Sequence, residues 1–295
     1  MDKRRIALAS GLELEVLEAG AGGRPLLLVH GFTGAKEDFA DHLDRLAGLG
    51  DGWHVVAPDL RGHGTSDHPT GPEAYTLGAM AGDVVALADA LGWDRFTLLG
   101  HSMGGMVAQV AALAAGGAAR LDGLVLMDTS HGPLGGIDDE LIALGKAVIA
   151  DGGMEALVVA QRDLPGALDT PANVRVTAQR PGYKEFGEAK AMACCGDMWI
   201  GVIDEIVTTQ ADRLDALGSG LGGVPVLVIV GEQDAPFIPH AERMAAAIAG
   251  ARLAVIADAG HSPQFENPEA WFGVLSRWLQ DVAAPAGADA RTSDR

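Results

Sequence analysis

Short apolar runs recur along the chain and are separated by longer segments rich in Ala and Leu. The runs that we interpret as strands are residues 25–29, 54–57, 96–99, 124–127, 226–230 and 252–256. Short apolar runs between helical segments are typical of parallel strands that are buried on both faces. The pattern therefore predicts an α/β fold, in which helices flank a mostly parallel sheet.

The first part of the chain follows a different pattern. Residues 4–9 and 12–18 alternate between polar and apolar side chains, which predicts an antiparallel hairpin at one edge of the sheet. The glycine-rich segment 20–23 lacks the lysine and the strand-to-helix context of a phosphate-binding loop. We interpret it instead as a hairpin turn.

The alternation of strands and helices lapses between residues 132 and 215. Helical patterns follow one another there, with Gly and Pro breaks and no clear strand. This predicts a helical cap (132–215) inserted into a core formed by residues 1–131 and 216–282. Beyond it, the Ala, Pro, Gly and charged residues of 283–295 predict a disordered tail.

Charge and composition narrow the range of partners. Asp and Glu number 40 against 21 Lys and Arg, which gives a formal net charge of −19. Such a surface repels phosphate backbones and anionic lipids, so we expect neither nucleic acid nor a membrane as partner. No apolar stretch approaches the ~18 residues that span a bilayer, and the N-terminus lacks the apolar run of a secretory signal.

The cysteines and histidines add two expectations. Cys194 and Cys195 are adjacent, and sequence neighbours rarely form a disulfide, so a cytoplasmic location is expected. The nine histidines show no recognisable metal-binding spacing, so we expect no metal site.

One motif points to nucleophilic chemistry. Gly100-His101-Ser102-Met103-Gly104 follows the apolar run 96–99 and precedes an Ala-rich helical segment. This is the strand–turn–helix context of a nucleophile elbow, in which a strained turn exposes the serine hydroxyl. The motif predicts that Ser102 is a nucleophile.

A serine hydroxyl needs a general base and an orienting acid to react near neutral pH. Asp234 follows the apolar run 226–230, and His261 follows the last predicted strand. Both therefore fall at the carboxyl ends of strands, where open α/β sheets place their sites. We predict Asp234 as the acid and His261 as the base, while Asp128 remains an alternative acid because it also ends a predicted strand.

Several blocks together resemble the α/β-hydrolase superfamily over about residues 5–282. They are His30-Gly31-Phe32, Asp59-Leu60-Arg61-Gly62-His63-Gly64-Thr65-Ser66, Gly100-His101-Ser102-Met103-Gly104-Gly105, Gly231-Glu232-Gln233-Asp234 and Gly260-His261. The resemblance implies an eight-stranded sheet with a helical cap and a Ser-Asp-His triad.

The resemblance also implies an oxyanion hole, formed by the backbone N–H groups of Phe32 and Met103. Loss of one such donor costs ~3 kcal/mol in other enzymes. We expect His30 to hold the oxyanion loop by hydrogen bonds, and Asp59 with residues 61–66 to brace the neighbouring loop. No cofactor is implied.

The expected activity is hydrolysis of a carboxylic ester or lactone of a small, largely apolar substrate, through an acyl-enzyme on Ser102. A C–C bond hydrolase of the same fold and a triad-retaining small-molecule receptor are the alternatives. Haloalkane dehalogenases and epoxide hydrolases resemble this architecture but use an aspartate nucleophile. Ser102 therefore argues against their chemistry. A small-molecule substrate is the expected partner, and formation of a homo-oligomer stays open.

The cap offers candidate substrate-binding residues. Tyr183, Met192, Met198 and Trp199 either line an acyl or ring pocket or form the apolar core of the cap itself. Methionine adapts well to apolar ligands, which keeps the first interpretation open.

Overall fold

The computed structural model describes residues 1–283, except for positions 137, 163, 165, 167 and 168. The strands are β1 (Asp2–Ala7), β2 (Glu13–Ala19), β3 (Arg24–Val29), β4 (Trp53–Pro58), β5 (Phe96–His101), β6 (Leu121–Met127), β7 (Val226–Gly231) and β8 (Arg252–Ile256). The predicted tail lies outside the described residues from position 284 onward.

The strands form one eight-stranded sheet in the order β1-β2-β4-β3-β5-β6-β7-β8. β1 and β2 form the predicted antiparallel hairpin, β2 is antiparallel to β4, and the other neighbouring strands are parallel. The predicted fold class is confirmed. The hairpin turn predicted at 20–23 is wrong, because this segment joins β2 to β3, which lie on opposite sides of β4.

The helices are α1 (Ala40–Ala47), α2 (Leu77–Ala90), α3 (Met103–Leu113), α4 (Asp139–Gln161), α5 (Pro171–Gln179), α6 (Tyr183–Met192), α7 (Gly196–Asp204), α8 (Leu214–Gly220), α9 (Ile238–Ala247), α10 (Pro263–Glu266) and α11 (Pro268–Ala283). Several begin at a side-chain cap: Thr76 and Thr170 accept N–H bonds at the starts of α2 and α5. Among the described helices, none combines the length and apolar character needed to cross a bilayer.

Apolar side chains bury both faces of the sheet. Leu27 and Val29 of β3 contact the apolar cluster that contains residues of α2, α3 and α9. Leu26 and Leu28, which point to the opposite face, join the cluster that contains residues of α1 and α11. This two-sided burial explains why the central strands read as continuous apolar runs.

The chain between β6 and β7, where the helical cap is predicted, is mainly helical. It contains α4, α5, α6 and α7, followed by a π-helical turn at Glu205–Thr209, and its described residues include no strand. α4 is interrupted at Gly153, where φ is +69°. The predicted boundary between residues 215 and 216 falls inside α8, which packs against α3 and α9 of the core.

Candidate active site

Ser102 lies at the sharp turn between β5 and α3. Its φ of +54° and ψ of −120° fall where residues other than glycine rarely lie. The Ser102 N–H donates to the Met127 carbonyl at 2.9 Å, and the Thr129 hydroxyl donates to the Ser102 carbonyl at 2.7 Å. β6 and the loop after it therefore hold the strained turn in place. Thr129 was missed by the sequence analysis, although its position at a strand end was an available signal.

Two glycines allow this turn to be so tight. A Cβ atom on Gly100 would lie 2.2 Å from the Gly104 carbonyl oxygen. A Cβ atom on Gly104 would lie 2.4 Å from the Val29 carbonyl oxygen. Because both obstacles are backbone atoms, only glycine lets α3 approach β3 and β5 this closely.

The structure brings Ser102, Asp234 and His261 together from the ends of three strands. His261 Nε2 lies 2.9 Å from the Ser102 hydroxyl oxygen. On the other side of the ring, His261 Nδ1 lies 2.9 Å from Asp234 Oδ2. With Nδ1–H donating to the carboxylate, Nε2 is free to accept the serine proton, which is the arrangement that activates a serine hydroxyl.

Buried polar groups hold the loop that carries His261. The Glu266 carboxylate accepts the N–H groups of Gly260 and Ser262. The ring of His101, the residue before Ser102, donates its Nε2–H to the His261 carbonyl oxygen at 2.7 Å. Burial, and then the neighbouring His261, lower the pKa of His101 to about 3. His101 is therefore a neutral hydrogen-bond donor to this loop.

The His261 ring contacts Asp234 and Ser102, whereas the alternative acid, Asp128, has a different partner. It follows β6 with a φ of +45°, and its Oδ1 accepts the Gly231 N–H at 2.8 Å. Burial, and then the charge of Asp234, raise the pKa of Asp128 well above its usual value. The geometry thus assigns the contact with His261 to Asp234.

Asp128, Asp234 and His261 form the one group of possible metal ligands found among the described residues, with donor atoms within 4.8 Å of one another. Both ring nitrogens of His261 already have protein partners, because Nε2 contacts the Ser102 hydroxyl and Nδ1 contacts the Asp234 carboxylate. The donor set therefore suits proton transfer better than metal coordination.

The loop after β3 approaches Ser102 closely. A Cβ atom on Gly31 would lie 3.0 Å from the Ser102 Cβ atom. The Gly34 N–H donates to the Gly31 carbonyl at 3.0 Å, which closes a turn with Phe32 and Thr33 at its centre. Phe32 thus follows directly after the point of closest approach to Ser102.

His30 holds this loop, as the sequence predicted. The Leu60 N–H donates to His30 Nε2 at 3.0 Å, so the ring proton lies on Nδ1 and is donated to the Gly31 carbonyl at 2.8 Å. Burial lowers the pKa of His30, which keeps the ring neutral.

The predicted bracing by Asp59 is also present. Its carboxylate accepts the Lys36 N–H at 2.8 Å, the Lys36 ammonium at 2.7 Å and the Thr65 N–H at 3.1 Å. Burial acts to lower the pKa of Lys36, but the pairing with Asp59 overcomes it and raises that pKa. Both side chains are almost fully buried, so the ion pair ties the two loops together.

A cavity of about 700 Å³ opens beside Ser102 and His261. Its volume is within the usual range for small-molecule sites. Apolar side chains in its lining include Phe32, Leu134, Ile203, Ile206, Val207, Phe237 and Phe265. Polar side chains in its lining include Asp38, Tyr183, Lys190, Ser262 and Gln264.

The cap residues proposed for the pocket are only partly brought to it. Tyr183 lines the cavity, whereas Met192, Met198 and Trp199 lie outside its lining. Met192 is 40% exposed, whereas Met198 is fully buried in the apolar cluster that also contains residues of α2 and α3. Trp199 is buried and packs against the ring of Phe32, with 6.1 Å between ring centroids.

The cap contributes a lysine that the sequence analysis missed. Lys190 of α6 forms a short ion pair with Asp38 of the core, and its ammonium lies 4.7 Å from the Phe186 ring centroid. This pair links the cap to the segment after the Phe32 loop, in the cavity wall. No sequence motif marks Lys190, because only the fold brings it to Asp38.

The sequence profile of the alpha/beta hydrolase family matches residues 26–274. With this match and the fold described above, the chain belongs to the alpha/beta hydrolase family. Epoxide hydrolase A of Mycobacterium tuberculosis is 37% identical over 110 residues, which cover 37% of this chain and 34% of that enzyme. The chain therefore matches about a third of the length of that relative.

Solved structures that are similar over nearly the whole chain include an esterase and a lactone-degrading enzyme. One is a thermophilic esterase from Thermogutta terrifontis with malate bound, which is 29% identical with a TM-score of 0.74 and covers 96% of this chain and 100% of that chain. The other is an N-acyl homoserine lactone degrading enzyme, which is 26% identical with a TM-score of 0.71 and covers 92% of this chain and 98% of that chain.

Proposed function

We propose that this protein is a serine hydrolase that cleaves a carboxylic ester or lactone of a small, largely apolar substrate. The observation that carries the proposal is the continuous contact from Asp234 through His261 to Ser102, beside a cavity of about 700 Å³. A hydroxyl, an imidazole and a carboxylate in this order form the arrangement that makes serine nucleophilic.

In the first half of the reaction, the Ser102 hydroxyl oxygen attacks the substrate carbonyl carbon. His261 Nε2 takes the hydroxyl proton and then delivers it to the departing alkoxide oxygen. Asp234 holds the ring in the tautomer with a proton on Nδ1 and stabilises the imidazolium while it exists. The product of this half is an acyl-enzyme on Ser102, together with a free alcohol from an ester; from a lactone, the hydroxyl group stays attached to the acyl chain.

Two backbone N–H groups stabilise the oxyanion that forms during the attack. Met103 is the first residue of α3, so its N–H has no helical partner and is available to a ligand. Phe32, in the loop that approaches Ser102, supplies the second N–H. In the second half, water attacks the acyl-enzyme, and His261 again takes a proton and returns one to Ser102. No step needs a cofactor.

The choice of an ester or lactone rests on the nucleophile and the cavity. The solved relatives named as an esterase and as a lactone-degrading enzyme align over nearly the whole chain. The likeness to epoxide hydrolase A covers only 37% of this chain. The resemblance to the superfamily implies an aspartate nucleophile for epoxide hydrolases, whereas this chain has Ser102 in the elbow motif. The aromatic and aliphatic side chains around the cavity favour an apolar acyl or alcohol group.

The proposal is tested with purified protein on a panel of p-nitrophenyl esters, lactones and one vinylogous diketone. Ser102→Ala should lower ester or lactone turnover by a factor on the order of 10⁴ to 10⁶. Ser219→Ala, on the exposed face of α8, is the matched control and should keep full activity. Undiminished turnover in Ser102→Ala, or turnover of the diketone alone, would contradict the proposal.

A further inference from the structure

Two buried carboxyl groups face each other behind His261. Asp128 and Asp234 follow the neighbouring strands β6 and β7, and their exposed fractions are 0% and 1%. One oxygen of each group has a partner: Asp128 Oδ1 accepts the Gly231 N–H, and Asp234 Oδ2 contacts His261. The remaining oxygens, Asp128 Oδ2 and Asp234 Oδ1, are buried and have no hydrogen-bond partner among the described residues.

Leaving these two buried oxygens without a hydrogen bond would destabilise the folded state, because burial removes them from water. Donor oxygens of the two buried carboxyl groups lie within 4.8 Å of each other, so ionisation of one opposes ionisation of the other. Asp234 has the imidazole as its partner, whereas the Asp128 carboxyl is bound by a single backbone N–H. One proton placed on Asp128 Oδ2 and donated to Asp234 Oδ1 satisfies both unpartnered atoms.

We propose that Asp128 is a neutral carboxylic acid that donates a hydrogen bond to Asp234 and thereby positions the triad aspartate. It is a positioning residue, since it acts through Asp234 and does not touch Ser102. The proposal rests on the proposed function insofar as Asp234 orients His261.

The charged and titratable groups around Asp128 are consistent with a neutral carboxyl. Asp234 faces it from the end of β7, Glu266 from α10, and His261 from the end of β8. Burial and the negative charge of Asp234 both raise the pKa of Asp128, and the Gly231 N–H opposes them. Glu266 adds to the same upward shift of the Asp128 pKa.

The test uses two substitutions that tolerate the backbone at this position. With a φ of +45°, Asp128 occupies a region open to asparagine and glycine. In Asp128→Asn, the amide oxygen still accepts the Gly231 N–H, while the amide nitrogen donates to Asp234. Asp128→Gly keeps the backbone conformation and removes the donor. Thermal unfolding of both variants establishes that they fold.

Asp128→Asn should keep kcat within about threefold of the wild type, because the hydrogen bond to Asp234 is preserved. Asp128→Gly should lower kcat by about 10- to 100-fold with little change in KM, the range expected for a lost hydrogen bond to a charged group. Equal losses in the two variants would overturn the proposal, as would a loss in Asp128→Asn as large as that in Asp234→Asn.

The pH profile separates a neutral from an ionised Asp128. If Asp128 is neutral, Asp128→Asn removes no charge, and the acid-side midpoint of the kcat/KM profile stays where it is. If Asp128 is ionised, the substitution removes a negative charge beside the imidazole and moves this midpoint to lower pH. Such a shift would refute the proposal.

Infrared difference spectroscopy gives a readout that does not depend on catalysis. At neutral pH the wild type should show the carbonyl band of a protonated carboxylic acid, and Asp128→Asn should lack it. Absence of that band from the wild type would overturn the inference. Its presence in a protein without ester or lactone turnover would leave the inference intact and refute the proposed function, so the two failures are distinguishable.

Discussion

Replacement of Asp128 by asparagine should change how the stability of the protein depends on pH. In the unfolded chain, Asp128 has an ordinary pKa near 3.8, whereas burial and Asp234 raise its pKa in the folded state. Between these two pKa values the folded protein keeps a proton that the unfolded chain has released. The free energy of unfolding therefore falls as the pH rises through this window, by about 1.4 kcal/mol per pH unit.

Asparagine does not titrate, so Asp128→Asn lacks this contribution. As the pH rises from 5, the free energy of unfolding of the wild type should fall relative to that of the variant, by up to about 1.4 kcal/mol per pH unit while the folded Asp128 keeps its proton. Urea unfolding at pH 5, 6 and 7, followed by circular dichroism, measures the difference directly. The contributions of groups that titrate alike in both proteins cancel in this difference between the two free energies of unfolding.

An exposed aspartate provides the matched control. Asp51 lies in an exposed turn, so the same measurements on Asp51→Asn give the effect of exchanging an exposed carboxylate for an amide. If the free energies of unfolding of Asp128→Asn and the wild type differ by the same amount at pH 5, 6 and 7, Asp128 releases its proton below pH 5 in the folded protein. That result would refute the reasoning from burial and from the neighbouring charge.

Three further substitutions test separate parts of the site. Lys36→Met should lower the free energy of unfolding by about 3–5 kcal/mol, because it leaves the buried Asp59 carboxylate unpaired, and urea unfolding measures this. Gly104→Ala places a Cβ atom 2.4 Å from a carbonyl oxygen of β3, so we expect it to lower both the melting temperature and ester turnover. Asp234→Asn should leave the fold intact and lower kcat by about 10⁴-fold, because the amide would hold His261 in the wrong tautomer, as in a serine protease. Steady-state kinetics measures this loss, and a decrease of less than tenfold would contradict the assignment.

The sheet and the three side chains at its edge could be predicted because local patterns encode them. Each central strand is buried on both faces, so it reads as a continuous apolar run. Ser102 and Asp234 each follow such a run, whereas His261 follows β8, an edge strand whose Leu253 and Val255 are exposed. Parallel strands bring their carboxyl ends to one edge of the sheet. The glycines around Ser102 added a motif that is specific to a tight turn.

Other features depend on contacts that no local pattern contains. The pattern of apolar residues along a helix predicts which face is buried. It does not reveal whether that face contacts a substrate or another helix. Met198 and Trp199 pack inside the cap and core, while Lys190 reaches the cavity through its pairing with Asp38. The relation between Asp128 and Asp234 likewise arises only when β6 and β7 become neighbours.

The central claim is that Ser102 becomes covalently modified with the help of His261. Mass spectrometry after treatment with a phosphonate ester tests it most directly, because the reagent stops at the first covalent step. We predict one adduct per chain, on the peptide that contains Ser102, with no adduct in Ser102→Ala and much slower labelling in His261→Ala. An adduct at another residue, or ester turnover that persists without any adduct at Ser102, would contradict the account.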